Sequence, residues 1–274
     1  MVSKQEIMGE QILRRVHIHN PDYGGIFSEI TGAQGSGKTS VLLSFADYTM
    51  VNYPNEKIFM SECYNAPLQV FKLGLNRYQF LVKEGAGIIF RDRDRKLEEV
   101  DFKPTYFTNL DDMYDKAKPG KVNVVFTGDR SNWMELIGYL RGVGEWTHIY
   151  IDELGDISPS QTGGEMWKRI NKFATVMKDV RKCMMNVHCN TQTSKDVDYR
   201  IRNKIMLKVF LPGAIVDSST RIQQRAVDNL DRNPEHGNQA YLDFTGQFGV
   251  VTFSDIYKPI QGYHYEAHVV EPNA

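Results

Sequence analysis

The chain has 274 residues, a length that suits one large domain or two small ones, and its 41% hydrophobic and 24% charged content is ordinary for a water-soluble globular protein. Thirty-three basic residues stand against thirty-four acidic ones, a net charge of −1 that argues against a coating basic surface but leaves room for a local basic channel. No run approaches the roughly 18 apolar residues that a membrane helix requires.

In chain order, the N-terminus "MVSKQEIMGEQILRR" carries acidic residues and no signal-peptide apolar region, so the expected compartment is the cytoplasm, and residues 1–25 read as an extension ahead of the first strand. That strand is "IFSEI" (26–30). After it, "GAQGSGKT" (32–39) leads into Val41, Leu42, Phe45, Tyr48 and Thr49 at helical spacing. A second strand is "KIFMSE" (57–62). The stretch from 66 to 119 separates two strands by more than a usual crossover and reads as an insertion. Within it, "RDRDRK" (91–96) alternates in sign, as a solvated loop does, and acidic residues between its arginines weaken any hold on phosphates. "NLDDMYDKAKPGK", from Asn109, has the acidic first turn and Pro-Gly stop of a capped helix.

Further strands are "VNVVFTG" (122–128), "HIYIDEL" (148–154), "MMNVHCNTQ" (184–192) and "IMLKVFL" (205–211). Met166, Ile170, Phe173, Met177 and Val180 form one apolar stripe on a helix between the second and third of these. "AYLDF" and "GVVTF" around "TGQF" signal a hairpin with a glycine turn, and "HYEAHVVEPNA" reads as an edge or tail. Strands alternating with helices predict an α/β fold with a mostly parallel sheet over 26–255 and a tail over 256–274. Cys63, Cys183 and Cys189 are odd in number and lack close pairing or metal-ligand spacing, so they are expected to be reduced and buried. His188 is expected to be a packed core residue.

The glycine-rich segment matches G-x-x-x-x-G-K-[ST], with Gly32, Gly37, Lys38 and Thr39 at the fixed positions. Gly32, Ala33, Gln34, Gly35, Ser36, Gly37, Lys38, Thr39 and Ser40 are therefore expected to bind ATP. The backbone N–H groups curl around the polyphosphate at a helix N-terminus, Lys38 meets the β and γ phosphates, and Thr39 ligates Mg²⁺. Hydrolysis also needs a carboxylate for the metal and a group that polarises water. Asp152 and Glu153, at the end of an apolar strand, are assigned these two roles. Gln192 ends a neighbouring strand, where its amide can sense the γ phosphate.

The order of phosphate loop, "IYIDE", helix and "VRKCMMNVHCNTQTSKDVDYRIRNKI" resembles the FtsK-HerA superfamily of DNA-pumping ATPases over about residues 26–255. Arg181 stands eleven positions before Gln192, and Ile201-Arg202-Asn203 follows, in the register of that family. The resemblance implies a RecA-like P-loop NTPase fold with an insertion and a C-terminal β-hairpin. It makes Arg181 an arginine finger acting in a neighbour's site, with Arg200 and Arg202 as competitors. It further implies a homo-oligomeric ring, commonly a hexamer, that moves double-stranded DNA by its backbone without reading sequence. Pore-loop candidates are "GDISPSQTGGEM" after Asp152 and the segment with "RDRDRK". Lacking an N-terminal barrel, a winged-helix module and membrane segments, the chain is most like the small viral genome-packaging ATPases. Capsid or membrane-vesicle proteins would be further partners, and the location the host cytoplasm or the virion. The alternative is a nucleotide-dependent assembly ATPase like the zonula-occludens-toxin-like phage proteins, which moves no DNA.

Overall fold

The computed structural model describes residues 4–17, 24–61, 77–85, 87–91, 104–217, 222–233, 237–253 and 266–270. The expected strands are present as β1 (Phe27–Thr31), β2 (Lys57–Ser61), β6 (Val122–Phe126), β7 (Thr147–Ile151), β8 (Met185–Thr191) and β9 (Leu207–Phe210). They join β3 (Tyr78–Lys83), β5 (Thr105–Phe107), β10 (Arg232–Asn233), β11 (Gly237–Phe244) and β12 (Gln247–Phe253) in one eleven-stranded sheet. The order is β10-β11-β9-β1-β8-β7-β2-β6-β3-β5, with β12 beside β11. From β9 to β5 every neighbouring pair is parallel, and the C-terminal hairpin adds antiparallel strands at one end. This is the mostly parallel, RecA-like P-loop NTPase arrangement, in which β8 intervenes between the loop strand β1 and the acid-bearing strand β7.

The central strands are buried at every position because helices cover both faces. Alternation along each strand sorts side chains between two cores. Ile58, Met60 and Tyr150 face one core, with Ile12 of α1 (Lys4–His17) and Leu42 and Phe45 of α2 (Lys38–Asn52). Phe59, Ile149 and Ile151 face the other, with Met113 of α3 (Leu110–Lys116), Trp133 and Ile137 of α4 (Trp133–Leu140), and Ile170 and Phe173 of α6 (Gly164–Lys178). α5 (Leu154–Ile157), α7 (Tyr199–Arg202) and α8 (Gln224–Asp228) are short connectors.

The stripe runs along α6 through Ile170, Phe173 and Met177, with Met166 only partly buried and Val180 buried just past the end of the helix, in a 3-10 turn. α2 is buried nearly all round, and Tyr48 departs from the expected stripe by being 41% exposed. Asn109 caps α3 by accepting from Asp112 N at 3.0 Å. At the hairpin, Thr245 and Gly246 both have positive φ, 50° and 90°, the geometry of a two-residue turn that matches strand twist.

Two sequence expectations are refined. The 66–119 stretch, read as an insertion, contributes two strands to the sheet, with β3 beside β6 and β5 beside β3. Phe80, Leu81 and Val82 are buried there because an apolar run at the sheet margin gains more by pairing than by looping out. It also holds β4 (Gly87–Arg91), which pairs antiparallel with β13 (Glu266–Val270) in the tail, while 92–96 of "RDRDRK" lie outside the described residues. Cys189 is buried, with its thiol donating to Ser28 O at 3.1 Å, but Cys183 is half-exposed and Cys63 lies outside the described residues.

α1, from the N-terminal extension, lies across β12 at two glycines. A Cβ on Gly9 would stand 2.2 Å from Val250 O, and one on Gly249 would stand 2.3 Å from Gly9 N. Only paired glycines let helix and strand backbones approach this closely. His188 sits in the core as expected, bonded through Nδ1 to Ser28 Oγ at 2.6 Å and stacked on Tyr150.

Candidate functional site

Parallel strands bring the loop after β1, the acids after β7 and the glutamine after β8 to one carboxyl edge. Loop residues 32–37 link β1 to α2. Gly35 and Gly37 have φ of 72° and 92°, and a Cβ on Gly32 would meet Ser36 Oγ at 2.3 Å and Leu211 Cβ at 2.9 Å. Ala33, Gln34 and Gly35 are exposed, whereas Ser36 is buried. Asn238 of β11 donates to Ser36 O at 2.9 Å and tethers the loop from the hairpin. α2 starts at Lys38 with Thr39 and Ser40 in its first turn and no acidic residue of its own there, so its positive end is offered to an anion.

Lys38 Nζ donates to Gly32 O at 3.0 Å and to Ala33 O at 3.1 Å. Burial pulls its pKa down, and the nearby Glu153 and Asp152 carboxylates oppose that pull. Thr39 Oγ1 donates to Asp152 Oδ1 at 2.9 Å. A hydroxyl and a carboxylate, both hard oxygen donors, beside a helix N-terminus fit Mg²⁺ carried by a polyphosphate.

β7 ends at Ile151, earlier than the sequence reading placed it, because the chain turns sharply at the acids. Glu153 adopts φ 58° and ψ 75°, a left-handed conformation that side-chain-bearing residues keep only when their surroundings enforce it. Its Oε1 accepts from Gln192 N at 3.3 Å. Burial raises the Glu153 pKa, with smaller pushes from Asp156 and Asp152. Gln192 is exposed at the end of β8. A cleft of about 380 Å³ opens beside these two residues, bounded also by Asp156, Ser160, Gln161 and Asp196.

Four residues that sequence reasoning missed complete the site: Asn190, Ser61, Arg130 and Asn238. The only sequence signal was for Asn190, a polar residue inside a strand buried on both faces. The others depend on strand order.

Arg181 is not gathered into this site. It is exposed in the turn before β8, at the amino edge of the sheet, and the seven-residue strand puts about 20 Å between it and Gln192. Arg200 grips Asp198 through Nε at 2.9 Å and Nη2 at 2.8 Å and lies 4.9 Å from the Trp167 ring centre. Arg202 pairs with Asp217 at 3.1 Å. Both competitors are thus engaged within the chain. "GDISPSQTGGEM" starts in α5 and continues at the carboxyl edge, where Ser160, Gln161, Gly163 and Gly164 are exposed.

Among the described residues no helix is long and apolar enough to cross a membrane. No family model and no curated protein matches the chain. Solved structures do. The genome-packaging NTPase B204 of Sulfolobus turreted icosahedral virus 2 with ATP-γS superposes with a TM-score of 0.52 at 13% identity, over 84% of this chain and 97% of that one. The same protein with AMPPCP gives 0.52 at 14% identity, over 88% and 100%. The N-terminal domain of zonular occludens toxin from Neisseria meningitidis gives 0.36 at 14% identity, over 85% and 96%, too low to bear on the argument.

Proposed function

We propose that the chain is an Mg²⁺-dependent ATPase that drives double-stranded DNA through a homo-oligomeric ring, packaging a viral or mobile-element genome. The observation that carries the ATPase part is the convergence of Lys38, Thr39, Asp152, Glu153 and Gln192 on one sheet edge, with Thr39 and Asp152 in direct contact at 2.9 Å. The DNA-moving part is supported by the register of Arg181 with Gln192 and by the fold shared with a protein described as a genome-packaging NTPase.

In this reading the loop N–H groups and the start of α2 bind the phosphates, and Lys38 exchanges its two carbonyl partners for phosphate oxygens. Thr39 and Asp152 would hold Mg²⁺, which when bound supplies positive charge against the phosphates. Glu153 takes the proton of the attacking water, a task suited to a carboxyl whose pKa burial has raised. Gln192, at the same edge, contacts the γ phosphate. Arg181 cannot span its own sheet to reach these groups. It serves a neighbouring copy, where its charge meets the transferred phosphoryl group. DNA is held by its backbone, without sequence preference, through loops at the carboxyl edge that include 155–166. Capsid or membrane-vesicle proteins are the further partners this reading implies.

ATP turnover measured with and without linear double-stranded DNA tests the reading. Stimulation independent of sequence and weakened by salt is expected. Turnover indifferent to DNA would favour an assembly ATPase that moves none, a reading to which the near-neutral net charge is suited.

A further inference from the structure

The peptide joining Asp152 to Glu153 is gripped by side chains from three other parts of the sheet. Asn190, buried within β8, donates from Nδ2 to Asp152 Oδ1 at 2.6 Å and accepts at Oδ1 from Glu153 N at 2.8 Å. The amide has one workable orientation, since a peptide N–H only donates and an ionised carboxylate only accepts. Ser61 Oγ, at the end of β2, accepts from Asp152 N at 2.8 Å. Arg130, just after β6, donates from Nη2 to Asp152 O at 2.5 Å and pairs through Nη1 with Asp156. The Asp152 amide and both polar groups of the Asp152–Glu153 peptide are thus met by side chains.

Resting on the ATPase reading above, we infer that Asn190 is a positioning residue for hydrolysis: one amide holds the Asp152 oxygen that also faces Thr39 and pins the left-handed backbone from which Glu153 is presented. Arg130 closes the grip from the opposite side. Two observations separate this from simple core filling. Asn190 bonds the same Oδ1 that Thr39 bonds, so it fixes the rotation of the carboxylate that would face the metal. It also supplies the acceptor for the amide of the one residue in the site whose φ is positive despite a side chain.

The test uses the full chain and the variants Asn190→Ala, Arg130→Gln and Arg130→Lys, with a fluorescent ATP analogue titrated in EDTA and against Mg²⁺, steady-state turnover, thermal melting and amide hydrogen exchange. For Asn190→Ala, nucleotide affinity in EDTA should stay within about twofold of the parent, because the phosphate loop is untouched. The Mg²⁺ midpoint should rise and kcat should fall, each by about 10- to 100-fold, with little change in KM, as when the partner that orients a metal ligand is removed. The Glu153 amide should lose exchange protection in the nucleotide-free protein. Arg130→Gln should lower kcat while leaving the Mg²⁺ midpoint in place, since Arg130 meets Asp152 at its backbone carbonyl and not at its carboxylate, and Arg130→Lys should recover much of the loss. A folded Asn190→Ala chain with the parental Mg²⁺ midpoint, kcat and Glu153 exchange would overturn the inference. If Asn190→Ala melts early, Arg130→Gln decides, and a parental kcat there would count against the grip. A parent that binds Mg²⁺-nucleotide without turnover would sink the ATPase reading, while midpoint and exchange would still decide whether Asn190 holds Asp152 and Glu153.

Discussion

Thr39 and Asp152 are 113 positions apart in the chain and 2.9 Å apart at the carboxyl edge of the sheet. Only β8 lies between the strands that end beside them, so the two oxygens meet because parallel strands finish on one side. Their contact makes the phosphate loop and the acidic turn a single nucleotide site, from which the following expectations are drawn.

Lys38→Ala removes the ammonium now bonded to the Gly32 and Ala33 carbonyls. Turnover should fall by about two orders of magnitude or more, the scale set by losing one preorganised charge-stabilising donor. Nucleotide titration and phosphate release measure it. Parental turnover in the folded variant would rule out the nucleotide assignment.

Glu153→Gln keeps the side-chain shape and an oxygen that can accept from Gln192 N, but removes the charge. ATP binding should persist while hydrolysis slows by about 10²- to 10⁴-fold, the usual worth of a general base. If the rate is unchanged, Asp156, which borders the same cleft, becomes the next acid to test.

Arg181→Ala should leave ATP binding intact and lower hydrolysis by about three orders of magnitude or more if the arginine works in a neighbour's site. Mixing Arg181→Ala with Lys38→Ala chains should then restore some activity, because an intact loop and an intact arginine can meet at mixed interfaces. Mixed assemblies that form and bind ATP yet stay inactive would turn attention to Arg200 and Arg202.

Glu29, fully buried in β1, has its pKa raised by burial to about 7, against an ordinary 4.5, although Ser194 Oγ donates to it at 2.7 Å. Below pH 4.5 the carboxyl is protonated whether the chain is folded or not, so it costs nothing there. As pH rises from 4.5 to 7 the unfolded chain ionises first, and stability falls by about 3 kcal/mol in total. Glu29→Gln should remove that part of the decline, read as urea midpoints between pH 5 and 8. Parallel slopes for the two proteins would contradict the assignment.

Gly9→Ala sets two effects against each other. In an exposed helix interior the change gains about 1 kcal/mol. Here the new Cβ would lie 2.2 Å from a backbone oxygen, which cannot rotate away. Overpacking of about 1–3 kcal/mol should win, lowering the melting temperature. A raised melting temperature would mean that α1 does not pack on β12 in solution.

Much of the site was legible in the sequence because its chemistry demands residue types at short fixed spacing: a glycine loop ending in Lys38-Thr39, and Asp152-Glu153 at the end of an apolar run. The hairpin was legible for the same reason, since Thr245-Gly246 is a local turn. Asn190, Ser61 and Arg130 were not, because their roles come from strands that are neighbours in space and distant in the chain. Tyr78–Lys83 was passed over because a long intervening stretch hid a run that reveals itself as a strand only when β6 lies alongside it. The place of Arg181 at the far edge from Gln192 was legible as well, because a strand over 184–192 puts the residues before and after it at opposite ends.

The bond from Asn238 to Ser36 spans 202 positions and links the outermost part of the sheet to the loop that would hold the nucleotide. The same hairpin carries α1 on its other strand through the contact of Gly9 and Gly249. Helix, hairpin and loop therefore form one mechanical train. A shift of the hairpin much beyond half an ångström would stretch this 2.9 Å contact past hydrogen-bonding range, and a loop that tightened would pull on the hairpin through the same amide.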